Sequence, residues 1–177
     1  TRQEKEVRYA MIHDESRCNG CNICARACRK TNHVPAQGSR LSIAHIPVTD
    51  NDNETQYHFF RQSCQHCEDA PCIDVCPTGA SWRDEQGIVR VEKSQCIGCS
   101  YCIGACPYQV RYLNPVTKAA DKCDFCAESR LAKGFPPICV SACPEHALLF
   151  GREDSPAIQA WLQDNKYYQY QLPGAGK

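Results

Sequence analysis

Sixteen cysteines in four groups of four constrain this chain more than any other feature of its 177 residues. Cys18, Cys21, Cys24 and Cys28 are spaced C-x2-C-x2-C-x3-C, and Cys96, Cys99, Cys102 and Cys106 repeat that spacing. Cys64, Cys67, Cys72 and Cys76 carry two extra residues before the third cysteine. Cys123, Cys126, Cys139 and Cys143 keep the opening C-x2-C and the closing C-x3-C but hold twelve residues between them. No cysteine lies outside a group.

Disulfides, zinc and iron–sulfur clusters compete for such a pattern. A disulfide wants two facing Cβ atoms about 3.8 Å apart, usually from separate stretches of chain. A thiol at every third residue instead points several sulfurs into one space, which is ligand geometry. Zinc uses C-x2-C half-sites in pairs, and a third cysteine at the same stride has no role there. A 4Fe–4S cube has four iron corners, so C-x2-C-x2-C wraps three of them and a distant cysteine supplies the fourth. In the bacterial ferredoxin pattern that last cysteine precedes proline. Cys76-Pro77, Cys106-Pro107 and Cys143-Pro144 all comply, and only Cys28, followed by Arg29, departs. The sequence therefore predicts four 4Fe–4S clusters, with zinc and disulfides as the rejected readings.

Short strand-like stretches, "VRYAMI", "GIVRVE", "VRYL" and "ALLF", sit beside the groups. They predict an α+β fold of two pseudo-symmetric bacterial-ferredoxin-like modules within one compact unit over residues 1–177. Groups two and three read as one module over 57–113. Groups one and four then close around it from 7–40 and 114–150, although spacing alone also permits sequential pairing. Between groups one and two, "RLSIAHIPV" and "QYHFFRQ" read as a hairpin with a polar tip. The twelve residues inside group four read as a surface excursion steered back by Pro136 and Pro137. Ser155 and Pro156 start a helix with Ala157, Ile158, Trp161 and Leu162 on one face, and an extended tail follows within 151–177.

Composition removes other functions. Formal net charge is zero and no long run of Lys or Arg supplies the concentrated basic face that nucleic acid needs. No apolar run approaches the roughly 20 residues of a membrane span, so a partner must supply any membrane part. No nucleophile–base pair, phosphate loop or open metal site stands out, and the sequence reads as non-catalytic alone. It starts at Thr1 rather than Met, which favours a removed export segment.

Several single residues have two readings each. His66, inside "CQHC", reads as a neighbour of a cluster rather than a ligand, because all four cysteines of its group are present. Lys122 reads either as a solvated lysine or as a charge that tunes a cluster. Trp82 reads as a cover against water for a cluster rather than as a carrier of electrons. Tyr167, Tyr168 and Tyr170 read as a partner contact or as a fold-back onto the chain itself. Gly20 and Gly98 let the backbone approach the clusters. Each thiolate-bound oxidised cube carries about two negative charges, so oriented backbone N–H groups must offset about eight in all.

The succession of groups, with "SCQHCEDAPCIDVCPTGA" and "NPVTKAADKCDFC", resembles the four-cluster ferredoxin-like electron-transfer subunits of complex bacterial oxidoreductases over roughly residues 7–150. These include iron–sulfur subunits of dimethyl sulfoxide, polysulfide and tetrathionate reductases and of formate-dependent nitrite reduction, the last being the most similar type. The resemblance implies nested ligand sets. Cys18, Cys21, Cys24 and Cys143 hold cluster 1, and Cys28, Cys123, Cys126 and Cys139 hold cluster 2. Cys64, Cys67, Cys72 and Cys106 hold cluster 3, and Cys76, Cys96, Cys99 and Cys102 hold cluster 4. It further implies a linear wire between a catalytic subunit and a quinone-reactive membrane subunit or soluble partner. The catalytic subunit is a molybdenum or tungsten pterin enzyme, aldehyde oxidoreductase type included, or a multihaem reductase. The implied location is the periplasmic face of the inner membrane, attached through partners, with the cytoplasm as the alternative. A free diffusible polyferredoxin is the competing function, and a zinc-stabilised structural module the remote one.

Overall fold

The computed structural model of the protein describes residues 8–163 and 168–169. In chain order the strands are β1 Tyr9–His13, β2 Leu41–Thr49, β3 Thr55–Ser63, β4 Ser81–Arg83, β5 Val89–Val91, β6 Tyr112–Leu113, β7 Ala120–Asp121, β8 Leu148–Arg152 and β9 Tyr168–Gln169. The helices are α1 Ile23–Thr31, α2 Pro71–Asp74, α3 Tyr101–Ala105, α4 Ile138–Ala142 and α5 Pro156–Gln163, with one 3-10 turn at Leu131–Lys133. This is a small mixed α+β architecture of short elements.

β1 is a central strand, in the order β8-β1-β9. Its residues Ala10, Met11 and Ile12 are wholly buried, the unbroken apolar run expected of a strand covered on both faces. It runs antiparallel to β8 from Tyr9 opposite Arg152 to His13 opposite Leu148. α1 packs against α4 on this side, whereas α2 packs against α3 beside the β4–β5 hairpin. The strands expected around "VRYAMI", "GIVRVE", "VRYL" and "ALLF" are all present.

The long hairpin β2–β3 pairs from Leu41 opposite Ser63 to Thr49 opposite Thr55. Its base is buried through Leu41, Ile43, Arg61 and Ser63, and its tip is exposed. At the tip the Asp50 carboxylate accepts N–H bonds from Asp52 and Glu54, the usual reason aspartate opens a turn.

Proline explains where the helices end. α3 and α4 stop at Cys106 (φ −72°, ψ 114°) and Cys143 (φ −71°, ψ 112°). Both cysteines precede a proline, whose ring forces the preceding residue out of the helical region. Cys28 lacks that proline, and α1 runs three residues further to Thr31. Arg29 then reaches forward to donate to the carbonyls of Val34, Pro35 and Gly38, tying down the following loop.

The main core mixes thiols with hydrocarbon. Cys24, Cys28, Cys64, Cys123 and Cys139 pack with Met11, Leu41, Ile43, Ile88, Phe125 and Leu148. A second small cluster joins Ala10 and Ile12 to Ile158 of α5. The face expected on α5 is narrower than its sequence implied: Ile158 is buried and Trp161 half-buried, but Ala157 is exposed. Leu162 lies outside the described side chains. Tyr168 belongs to β9, opposite His13, so at that position the polypeptide folds back on itself. Tyr167 and Tyr170 lie outside the described residues.

Arg29→Pro should end α1 at Cys28 and remove the clasp on three carbonyls. The expected loss is about 3 kcal/mol, the cost of proline in a helix interior, read as a lower thermal unfolding temperature of the cluster-loaded protein.

Candidate metal centres

Each cysteine group opens with a left-handed residue at the same position. The residue two after the first cysteine has a positive φ in all four: Gly20 (71°), His66 (46°), Gly98 (71°) and Phe125 (55°). A left-handed residue next to right-handed ones gathers successive N–H groups onto one side, which makes an anion-binding concavity. Glycine suits two of these positions for a second reason. A Cβ on Gly20 would come within 2.4 Å of the Phe59 ring, and one on Gly98 within 3.0 Å of the Lys118 carbonyl. Three groups also close alike, with positive φ at Gly79, Gln109 and His146, each three residues after the final cysteine.

These turns aim donors at sulfur. N–H groups of His66, Ser81, Ala120 and Ala147 lie 3.4, 3.5, 3.4 and 3.4 Å from the Sγ atoms of Cys64, Cys76, Cys96 and Cys143. The carboxamide of Asn32 donates to Cys28 Sγ at 3.7 Å and to Cys126 Sγ at 3.6 Å, as well as to the Cys28 carbonyl. The Arg61 guanidinium lies 3.9 Å from Cys123 Sγ.

Three cavities are lined by four thiols each. One holds Cys18, Cys21, Cys24 and Cys143, beside Ile43. Another holds Cys28, Cys123, Cys126 and Cys139, with Arg40, Arg61 and Phe125. The third holds Cys64, Cys67, Cys72 and Cys106, with Val89 and Arg111. Of the remaining four cysteines, Cys99 is exposed and Cys76, Cys96 and Cys102 are half-buried. The thiols spread around their cavities: among the described residues no group of three or more Cys, His, Asp or Glu has the spacing of a single metal ion.

The electrostatics call for a bound group that is both metallic and anionic overall. Burial, with neighbouring thiols, pushes Cys24 up to about 11 and Cys139 up to about 12, and Cys28 further still. Desolvation comes first in each case, and for Cys28 the charges of Cys123, Cys139 and Cys126 add to it. Four thiolates gathered in one dry cavity repel one another, and metal cations remove that repulsion by bonding to them. Cys76 differs. Burial opposes its ionisation, but the N–H groups of Ser81, Thr78 and Ala80 and the Thr78 hydroxyl outweigh it and hold the thiol down to about 7.

The interior also carries an excess of positive charge. Arg40, Arg61, Arg111 and Lys122 are buried against only Asp14 and Asp121 among the described carboxylates. The buried histidines do not balance them. Burial and then Arg61 lower His13 to about 4, and burial followed by Lys122, Arg61, Arg111 and Arg83 lowers His66 well below its usual range. Buried charge costs several kcal/mol per ion when uncompensated, so thiol cavities filled by anionic iron–sulfur cubes fit what the residues present.

The residues singled out from sequence divide three ways. His66 is wholly buried, with its ring tilted by 31° against Phe125 at 3.9 Å between centroids and its Nδ1 accepting the Val89 N–H at 2.9 Å. It sits beside the cysteines without lining their cavities. Lys122 is buried, which overturns its solvated reading, and its ammonium donates to the carbonyls of Val89 and Cys123. Trp82 is a correction. Strand alternation buries its neighbour Ser81 and turns Trp82 outward, 37 % exposed, beneath the Arg90 guanidinium. Asn32, Arg61 and Arg111 carried no signal in the cysteine motifs, although the missing proline after Cys28 marked the place where Asn32 caps a longer helix.

Comparison with known proteins agrees with this geometry. Two family models, each described as a 4Fe-4S dicluster domain, match residues 55–153 and 17–80. All 177 residues are 98 % identical to 80 % of the uncharacterized ferredoxin-like protein YdhX of Escherichia coli O157:H7. Over 169 residues, 95 % of this protein and 88 % of the relative, identity is 54 % to the thiosulfate reductase electron transfer subunit PhsB of Salmonella typhi. Over 150 residues, 84 % of this protein and 78 % of the relative, identity is 50 % to a polysulfide reductase subunit of Wolinella succinogenes.

Asn32→Leu removes one donor from two sulfurs of a single cavity. The expected result is full metal content, a stability loss of about 1–2 kcal/mol, and one metal centre that becomes harder to reduce in an EPR-monitored redox titration.

Proposed function

This protein belongs to the 4Fe-4S dicluster family, and we propose that it is an electron-transfer subunit whose four 4Fe–4S clusters form a wire between two partners. It is not catalytic alone. Bound cubes supply single-electron acceptors and donors, and the protein's part is to hold, space and insulate them.

The observation that carries this reading is where the sulfurs reach the surface. Cys21 and Cys99 are the two exposed cysteines of the sixteen, and the other fourteen are half-buried or buried. They belong to the first and last of the nested ligand sets. We assign Cys18, Cys21, Cys24 and Cys143 to cluster 1 and Cys28, Cys123, Cys126 and Cys139 to cluster 2. Cys64, Cys67, Cys72 and Cys106 then hold cluster 3, and Cys76, Cys96, Cys99 and Cys102 hold cluster 4. The thiol-lined cavities support the first three sets. Sets 1 and 2 share groups one and four, sets 3 and 4 share groups two and three, and the His66–Phe125 contact joins a loop of set 3 to a loop of set 2. The order 1-2-3-4 follows, with access for partners at both ends. On this assignment one module comprises 7–40 with 114–150, the other 57–113, and 151–177 belongs to neither.

The partners follow from the relatives' roles. The thiosulfate reductase electron transfer subunit and the polysulfide reductase subunit each serve a reductase, so we place a catalytic oxidoreductase subunit at one end. No helix among the described residues is long and apolar enough to cross a membrane, and we propose that a quinone-reactive membrane subunit, or a soluble carrier, meets the other end on the periplasmic face.

Anaerobically purified protein should contain about sixteen iron and about sixteen acid-labile sulfide per polypeptide. The nested assignment predicts paired losses. Cys28→Ser and Cys126→Ser should abolish or alter the same EPR signal, and Cys24→Ser and Cys143→Ser a different one, each with iron falling to about twelve to fifteen. If Cys28→Ser instead matched Cys24→Ser, the ligand sets would follow the sequence groups and the crossing would be wrong.

A further inference from the structure

We propose that Arg61, Lys122 and Arg111 form a set, one buried cation in each gap between successive clusters, and that each stabilises an added electron on both of its flanking clusters. The proposal rests on the ligand sets given above. Arg61, only 2 % exposed, lines the cavity of set 2 and lies 3.9 Å from Cys123 Sγ. Across the β2–β3 ladder it sits opposite Ile43, which lines the cavity of set 1, and it is within electrostatic reach of Cys24 there. Lys122, also 2 % exposed, bonds to the carbonyl of Cys123, a set 2 ligand, and to that of Val89, which lines the cavity of set 3. Arg111 lines the cavity of set 3 and donates to Ser81 Oγ at 2.9 Å. The Ser81 backbone N–H in turn lies 3.5 Å from Cys76 Sγ of set 4, and Cys102 of that set is within reach of the same guanidinium.

The fourth buried cation, Arg40, differs from Lys122 and Arg111 in its pairing. Arg40 is already ion-paired to Asp121 at 2.8 Å and Asp124 at 3.1 Å. The Lys122 ammonium and the Arg111 guanidinium form no ion pair with a carboxylate among the described residues, although the Lys122 backbone N–H donates to Asp121 at 2.8 Å, and the buried Nη1 of Arg111 has no hydrogen-bond partner there. Their charge is left for the clusters. The three cations come from unrelated places: a hairpin strand, the position before a ligand cysteine, and the stretch after group three. Repetition of one module does not account for them, but a requirement at each gap does.

A charge in a dry gap is weakly screened by salt and acts on both neighbours. A surface charge acts weakly and diffusely. Loss of one gap cation therefore makes two adjacent clusters harder to reduce and spares the other two.

The test is an EPR-monitored redox titration of the cluster-loaded protein. Arg61→Gln, Lys122→Gln and Arg111→Gln are compared with the charge-retaining Lys122→Arg and with Arg90→Gln, a half-buried control already paired to Glu128. Each neutral gap variant should keep about sixteen iron and sulfide. Its two flanking clusters should show about a tenfold lower reduced-to-oxidised ratio at a fixed potential, about 59 mV for a one-electron couple. Lys122→Gln should move clusters 2 and 3, and Arg111→Gln clusters 3 and 4, with cluster 3 responding to both. Lys122→Arg and Arg90→Gln should leave all four in place. Unchanged potentials, or an equal shift of all four clusters, would overturn the proposal. Loss of clusters in every neutral variant would do the same, because the cations would then be structural. If one variant alone fails to assemble, the other two gaps decide. A wild-type protein with fewer than four clusters would instead overturn the ligand sets.

Discussion

Hydrogen bonds from backbone N–H groups onto cysteine sulfur are the interaction on which the rest of this structure depends. A thiolate inside a protein must be matched by donors or cations, because its lost hydration is otherwise uncompensated. Four groups of four cysteines multiply that demand within a polypeptide of zero net charge. The solution is local and repeated. A positive φ two residues past each first cysteine gathers N–H groups inward. The turn after the last cysteine brings further donors onto sulfur, as with Ser81 on Cys76 and Ala147 on Cys143. Glycine at 20 and 98 answers both the backbone angle and the lack of room for a Cβ.

The same demand shapes the core. Thiols take places that aliphatic side chains hold in an ordinary domain of this size, so the strands and helices are short and have little to bury. What hydrocarbon there is concentrates on β1 and the base of the β2–β3 hairpin, which border the thiol cavities. Folding and metal loading are coupled for that reason: the cavities acquire their full packing only when their contents are present.

Much of this was legible in the sequence. Regular spacing identified the sixteen cysteines and the kind of group they hold, and short apolar runs located β1, β5, β6 and β8. Residues acting across long sequence separations were not legible. Asn32 reaches a sulfur of Cys126, 94 residues away, and Arg61 one of Cys123, 62 residues away. No local pattern encodes such contacts, since they exist only once the hairpin and α1 are docked. Trp82 shows the opposite error. Its size made it look like a shield, but three residues of strand sufficed to turn it outward beside a buried Ser81.

The departure at Cys28 shows how one residue redirects a repeated unit. Where proline follows the last cysteine, the helix stops at the ligand and the backbone turns at once. With Arg29 in that place, α1 gains three residues, and its end carries Asn32 to the sulfurs of Cys28 and Cys126. Arg29 meanwhile fastens the Val34–Gly38 loop, just before Arg40 meets Asp121 and Asp124. Group one lines two thiol cavities, as group four does through Cys143 and Cys139, but only group one extends its helix past the last cysteine to bring a carboxamide onto sulfur. The four cysteine groups repeat where they turn N–H groups onto sulfur, and they differ in how the backbone leaves the last cysteine.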